Sequence, residues 1–255
     1  MDRTSATRLS KAVVGPVARD VNGRQMHNKI LLALPNDEYT AIFSKLQFVS
    51  LPTSTVLNEV AEPIKFAFFL NEGLASILSI TAEGKSVEVG LCGREGFVGV
   101  PLTAGFHSSP TRVIMQVGGS GFRIAAKDLL IALRNCPQLA TGLQRFAQEV
   151  ALQSSQVAAC NRLHEVDERL ARWLLMSQDR LGGDVVPLTQ EFLAHMLGTR
   201  RASVTVAAGI LQRAGLITHT RGAVKIESRT RLEDAACECY RIMTEQVRRW
   251  HSEAS

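Results

Sequence analysis

Arg200 and Arg201 follow Leu197-Gly198-Thr199 and head a stretch with helical periodicity. Guanidinium groups at the head of a helix can donate paired hydrogen bonds to a guanine edge or to phosphate oxygens. The surrounding segment, Leu188 to Ile217, reads as two short helices around a glycine turn, the sequence form of a helix-turn-helix that enters a DNA groove. Thr189 is placed to cap the first helix, Glu191 suits its positive end, and Phe192, Leu193 and Met196 form its inward face. Thr199 is a second candidate cap. Val204, Ala207, Ala208 and Leu211 recur at core spacing, which leaves Arg200, Arg201, Ala202, Thr205 and Val206 at the exposed head.

A basic hairpin follows. Leu216-Ile217-Thr218 and Val224-Lys225-Ile226 are β-prone and flank Arg221-Gly222, so they read as a two-stranded wing with a cation at its tip. From Gly198 to Arg231 there are seven basic residues (Arg200, Arg201, Arg213, Arg221, Lys225, Arg229, Arg231) against the single acid Glu227. Such a cluster says more about a polyanionic partner than the net charge of +5 does. Two surface helices with merely solvated arginines would not call for the hairpin. Arg201, Ala202, Thr205 and Val206 are therefore assigned to base edges, and Thr189, Arg200, Ser203 and Arg221 to phosphates.

Other chemistry is sparse. The five cysteines (Cys92, Cys136, Cys160, Cys237, Cys239) are odd in number and lack framework spacing, which suits a reducing compartment. Cys237-Glu238-Cys239 falls in a stretch read as one helix from Arg231 to Trp250. Residues two apart on a helix point about 200° apart, so the pair is expected to pack against the wing and not to share an ion. Gly118-Gly119-Ser120-Gly121 lacks the lysine and helix of a phosphate loop and reads as a turn between strands. There is no HExxH, no GxSxG and no convincing carboxylate pair, so no catalytic residue, metal or cofactor is assigned. The six histidines show no ligand spacing, which leaves haem as an open alternative.

The elements that must position the arginines are legible in turn. Residues 1–26 read as a flexible basic arm, and Asn28 to Leu46 as a helix interrupted by Pro35. Short β-prone runs follow (Phe66 to Leu70, Leu74 to Ile80, Ser86 to Leu91, Arg112 to Val117, Gly121 to Ile124), as in a small antiparallel barrel or sandwich. A long helix opens near Pro137. In it Leu139, Leu143, Phe146, Val150, Gln153, Val157, Cys160 and His164 alternate at spacings of four and three, the seam of a coiled coil or the stripe of a helix lying on its own barrel. The seam is taken as a homodimer interface, with Gln153 and His164 fixing register and Cys160 open to bridging between subunits. A shorter helix, Asp167 to Met176, leads into the DNA-reading module. No apolar run approaches the ~20 residues of a membrane span, and the first 26 residues offer no signal-peptide core, so a cytoplasmic location is expected.

Helix, β-roll, long helix and winged helix-turn-helix, in that order, resemble the Crp/Fnr family of bacterial transcription regulators. The segments that carry the resemblance are 169–175 (RLARWLL), 188–194 (LTQEFLA), 196–201 (MLGTRR) and 211–217 (LQRAGLI), with a looser match at Val56-Leu57, Phe66 to Leu70 and Gly73. The resemblance implies an α+β chain. Its parts would be a cyclic-nucleotide-binding-like antiparallel β-roll at 27–135, a dimerisation helix at 136–164 and a DNA-binding domain at 165–255. It also implies a homodimer on an inverted repeat of double-stranded DNA, with RNA polymerase as a partner and no membrane. Cyclic-nucleotide-binding relatives carry a Gly-Glu pair for the ribose and an Arg-Ser or Arg-Thr pair for the phosphate; this chain has Gly99-Val100 and Ser109-Pro110. Valine accepts no hydroxyl bond and proline has no N–H, so the roll is expected not to bind cyclic nucleotide unless Arg112 substitutes. Relatives with iron–sulfur clusters use N-terminal cysteines, and none precedes Cys92 here. Relatives also commonly place Glu at Ala202 and Arg at Val206, so base selection should differ. No effector is assigned. The competing classes are an enzyme or ligand-binding module with an incidental basic helix, and a haem- or redox-responsive regulator.

Overall fold

The computed structural model describes residues 25–188 and 190–253. Thr189, the side chain of Glu191 and nearly all of the arm read at 1–26 lie outside the described residues. Two short helices come first, α1 (Lys29–Leu32) and α2 (Asn36–Phe43), parted at Pro35. Asn28 anchors them. Its side chain accepts from Leu31 N at 3.2 Å and donates to the carbonyls of Leu70 at 2.9 Å and Gly96 at 2.8 Å, so a fully buried amide is satisfied on both sides.

The roll consists of β1 (Gln47–Leu51), β2 (Val56–Asn58), β3 (Phe66–Ile80), β4 (Ser86–Cys92), β5 (Phe97–Val98), a 3-10 turn at Val100–Ala104, and β6 (Thr111–Ala125). The sheet is antiparallel in the order β1-β6-β3-β4, with β2 also on β6 and β5 on β3. Phe69, Leu70, Phe97, Met115, Phe122 and Ile124 fill its interior. The runs read as separate strands on either side of Asn71–Gly73 and of Gly118–Ser120 are in fact two continuous strands of fifteen residues. The glycine run is accordingly no turn. It lies inside β6 where the pairing with β3 slips register, and a Cβ on Gly119 would stand 2.2 Å from the Glu72 carbonyl oxygen. Only glycine lets the two backbones pass so closely.

After α3 (Ala126–Asn135) the chain enters α4 (Pro137–Leu163), whose first turn holds the expected proline. Its exposed N–H groups are met by another helix: Glu38 of α2 accepts from Gln138 N at 2.9 Å and Leu139 N at 2.8 Å.

The apolar seam of α4 faces the chain's own body, which corrects its assignment as a dimer interface. Leu139, Leu143 and Phe146 are buried in the roll core, and half-buried Val150 packs at its edge. Phe146 sits 5.7 Å from the ring of Phe97, over Gly96. Gln153 fixes no register between subunits; its Oε1 accepts from Leu91 N of β4 at 3.2 Å. Val157 is buried as well. Cys160, fully buried with its sulfur 3.4 Å from that of Cys237, cannot reach a second subunit. The physical reason is that a heptad stripe is also the stripe by which any long helix lies on its own domain. On the other side of α4, Ala151, Ser155, Ala158 and Ala159 are exposed.

The C-terminal part comprises α5 (Val166–Leu181), β7 (Val185–Val186), α6 (Gln190–Met196), α7 (Arg201–Arg213), β8 (Ile217–Thr220), β9 (Ala223–Ile226), α8 (Arg229–Ala235) and α9 (Cys239–Glu253). β7 adds a third strand to the wing, in the order β7-β9-β8. The single helix read from Arg231 to Trp250 is broken at Ala236–Glu238. Cys237 lies in the break and Cys239 opens α9, so the helical angle that kept the two thiols apart does not apply. They turn toward the end of α4 rather than the wing. No helix of the described residues is long and apolar enough to cross a membrane.

Because Phe146 is 2% exposed inside one chain, Phe146→Ala should cost about 3–5 kcal/mol in a denaturant titration. Its oligomeric state in sedimentation should match the wild type. Dissociation without loss of stability would restore the seam to an intersubunit role.

Candidate nucleic-acid interface

The turn between α6 and α7 is built as the sequence implies at one position and not at another. Gly198 has a φ of 59°, the left-handed conformation that glycine adopts without strain. Arg200, and not Thr199, occupies the cap position of α7, with φ −77° and ψ 147° and no side-chain cap bond. No acid lies in the first turn of α7, so the positive end of its dipole is left uncompensated beside two arginines.

Val204, Ala207, Ala208 and Leu211 are buried and hold α7 against α5 and α6, where Leu193, Met196 and Leu197 are buried and Phe192 is half-buried. That anchorage fixes which side faces outward. Arg201, Ala202, Thr205 and Val206 are exposed together, Val206 at 62%, and Ser203 is half-buried beside them. The Thr205 hydroxyl donates to the Arg201 carbonyl at 3.0 Å. Arg221 is exposed at the wing tip, next to Gly222 with φ 86°.

Of the seven clustered cations, three are otherwise engaged. Lys225 pairs with Glu227 at 2.8 Å, Arg229 with Asp179 at 2.8 Å and Glu233 at 2.9 Å, and Arg231 donates to the Ala214 carbonyl at 2.7 Å. Arg200, Arg201 and Arg221 form no ion pair among the described residues. Arg213, also without an ion pair among the described residues, lies at the far end of α7, so the cations left at the helix head and the wing tip are Arg200, Arg201 and Arg221.

Sequence reasoning missed how closely this module is fastened to the roll. Ser86 Oγ lies 2.5 Å from His195 Nε2, and Val87 packs where a Cβ on Gly198 would be, at 3.0 Å. Leu74, Leu78 and Leu91 of the roll share one apolar cluster with α5, α6 and α7. Inside this joint Glu88 is buried, its carboxylate accepting from Trp173 Nε1 and Ser76 Oγ, each at 2.7 Å. Burial raises its pKa to about 7, opposed by those two bonds and by the charges of Arg172 and Arg180. A lone glutamate in an alternating strand carries no sequence signal of a partner on a distant helix.

In the roll, Val100 is half-buried against the core, and Ser109 Oγ accepts from Thr111 N at 3.1 Å. Arg112 is engaged. Its Nη2 pairs with Glu59 at 2.8 Å and its Nε with both Glu59 oxygens at 3.1 and 2.9 Å, and these bonds hold the Glu59 carboxyl below its usual range. A cavity of about 610 Å³ lies outside the roll, between α1, α4, α5 and α9, and is lined by residues of both charges including Lys29, Arg145, Glu149 and Arg248.

Residues 168–235 match the family model of the Crp-like helix-turn-helix domain. No curated protein matches the chain significantly in sequence. Among solved structures the chain is similar to FixK2 from Bradyrhizobium japonicum (15% identity, TM-score 0.65, 75% of this chain and 98% of that one). It is also similar to CLP, the c-di-GMP responsive global regulator of Xanthomonas campestris (16%, 0.63, 76% and 100%). A transcriptional regulator of the CRP family from Thermus thermophilus aligns at 20% identity with a TM-score of 0.59, over 74% of this chain and 96% of that one. At these identities the shared property is the fold: a mixed α and β chain with an antiparallel N-terminal sheet and a C-terminal helix-turn-helix, as the sequence implies.

The Glu88 joint gives a pH dependence. A carboxyl whose native pKa is raised contributes stability that is full below its unfolded value near 4.5 and is lost as pH climbs through about 7. Glu88→Gln removes this titration and keeps an acceptor for Trp173. The wild type should therefore lose on the order of 3 kcal/mol relative to the variant between pH 4.5 and 8, read from paired thermal melts. Parallel pH profiles would show that the joint does not bind the proton.

Proposed function

We propose that this Crp/Fnr-type chain, with its Crp-like helix-turn-helix domain at residues 168–235, is a homodimeric, sequence-specific transcription regulator that binds an inverted repeat in double-stranded DNA. The observation that carries the reading is the exposed head of α7. There two arginines without ion pairs among the described residues flank a small apolar surface, and the wing-tip Arg221 is exposed on the same module. Arg201 makes a bidentate contact to guanine, Ala202 and Val206 meet thymine methyl groups, Thr205 lies at a base edge, and Arg200, Ser203 and Arg221 hold phosphates. Two such heads reach successive major grooves ~34 Å apart.

The dimer forms through the exposed side of α4, along Ala151, Ser155 and Ala158, where small side chains permit two helices to approach closely. The thin catalytic inventory supports a regulator and not an enzyme. The engagement of Arg112 by Glu59 supports a roll that does not take cyclic nucleotide, because the guanidinium that could have replaced the phosphate partner is already neutralised.

Binding selection from a random DNA library tests the reading. The recovered motif should be an inverted repeat with guanine required opposite Arg201; a lone half-site would sink the dimer, and recovery of no motif would sink the function. Arg201→Ala should cost about 1–3 kcal/mol and relax selectivity at one position, whereas Arg221→Ala should weaken all sequences alike and lower the salt slope by about one.

Cyclic AMP should leave the melting temperature unchanged. A ligand at 100 times its Kd would add about 2.7 kcal/mol, so a clear shift at millimolar concentration would show that the roll does bind it.

A further inference from the structure

Four ligand groups outside the DNA-reading face converge at the junction of the long helix with the C-terminal module. Cys160 lies in the last turn of α4 and His164 caps the helix end, its backbone N–H donating to the Cys160 carbonyl at 3.2 Å. Cys237 and Cys239 come from the break between α8 and α9. The Sγ atoms of Cys160 and Cys237 are 3.4 Å apart, Cys239 Sγ is 3.5 Å from His164 Nδ1, and all four ligand atoms lie within 4.8 Å of one another. The three sulfurs are buried and the imidazole is half-buried.

We propose that Cys160, His164, Cys237 and Cys239 bind one zinc ion, which staples the end of α4 to the α8–α9 junction. Zinc takes four ligands in a tetrahedron, with bonds of about 2.3 Å to sulfur and 2.0–2.1 Å to nitrogen. Those bonds place two sulfurs about 3.8 Å apart and a sulfur and a nitrogen about 3.5 Å apart. Two of the six separations are near those values and none exceeds 4.8 Å, so the four groups close on an ion by side-chain adjustment alone. Three thiolates and one imidazole with no open position describe a closed, structural site. The span accommodates a single ion and not a multi-iron cluster.

The surroundings supply what such a site needs. Zinc with three thiolates carries one net negative charge. Arg169 and Arg172, 7% and 3% exposed, lie close enough to act on these sulfurs. Neither has a carboxylate at ion-pair distance among the described residues, and the Nε of each is buried without a hydrogen-bond partner. Buried guanidinium groups with no carboxylate at ion-pair distance are costly, and the metal-thiolate group supplies a counter-anion that Arg169 lacks and that Arg172 has only in the more distant Glu88. Gln156 Nε2 lies 3.2 Å from Cys239 Sγ and donates to it, as the outer partner of a thiolate ligand does. Arg169 also donates to Asn161 Oδ1 at 2.8 Å and to the Leu197 carbonyl, so the site is tied to the turn that precedes α7.

The experiment is metal analysis of the full chain, with no DNA present, so its outcome is independent of the proposed regulator function. Protein purified under reducing conditions should carry one zinc per chain by elemental analysis. Cobalt substituted after chelation should give the thiolate charge-transfer absorption and the intense visible bands of a tetrahedral site. Both signals should vanish in Cys237→Ser and His164→Ala and persist in Cys136→Ala, and Gln156→Ala should weaken zinc binding about 10–100-fold. If a ligand variant fails to fold, the wild-type chain still decides: zinc added to the metal-free protein should raise its melting temperature. Absence of both tightly held zinc and the cobalt thiolate bands in the reduced wild type would overturn the site. So would a Cys160–Cys237 disulfide whose reduction restores no metal uptake.

Discussion

The structure depends on one helix serving two cores. The apolar stripe of α4 gives Leu139, Leu143 and Phe146 to the roll, and one turn before its end it gives Cys160 to the cluster that holds the helix-turn-helix. A rigid rod buried at both ends transmits orientation, since neither core can shift along it without opening apolar surface. Glu38 secures the start of that rod by meeting the N–H groups that Pro137 and the first turn leave free. The roll, the rod and the reading head are thereby set relative to one another before any partner is present.

Between roll and reading head the contact is mixed in character. Leu74, Leu78 and Leu91 give it apolar area, while Glu88, Trp173, Ser86 and His195 give it direction through hydrogen bonds. A buried polar link of this kind is costly if half satisfied and specific if complete. Here each Glu88 oxygen has a donor, so the joint selects one docking of α5 on β4 among the many that oily surfaces alone would tolerate.

What the sequence made legible follows from the range of the interactions concerned. The helix-turn-helix, its glycine turn and the buried set Val204, Ala207, Ala208 and Leu211 are local patterns, readable at helical spacing, and they stand in the structure as read. Strand positions were also local, but their continuity through Asn71–Gly73 and Gly118–Ser120 was not, because glycine marks a turn and a close backbone crossing equally well. The seam of α4 was seen correctly as apolar and assigned to the wrong neighbour, since a stripe says that something covers it and not what. The cysteines failed for the opposite reason: one assumed helix at 231–250 separated two thiols that a three-residue break brings back together, beside partners some seventy residues earlier.

The packing of Gly198 against Val87 bears on how freely the DNA-reading module could be exchanged among proteins. A module cut at the end of α4 and grafted onto another sensor would leave behind the hairpin of β3 and β4 that covers its turn, and would expose the faces that Leu74, Leu78 and Leu91 now protect. A functional chimera therefore has to carry that hairpin with it. The packing unit in this chain is larger than the helix-turn-helix and includes two strands that belong, by sequence, to the other domain.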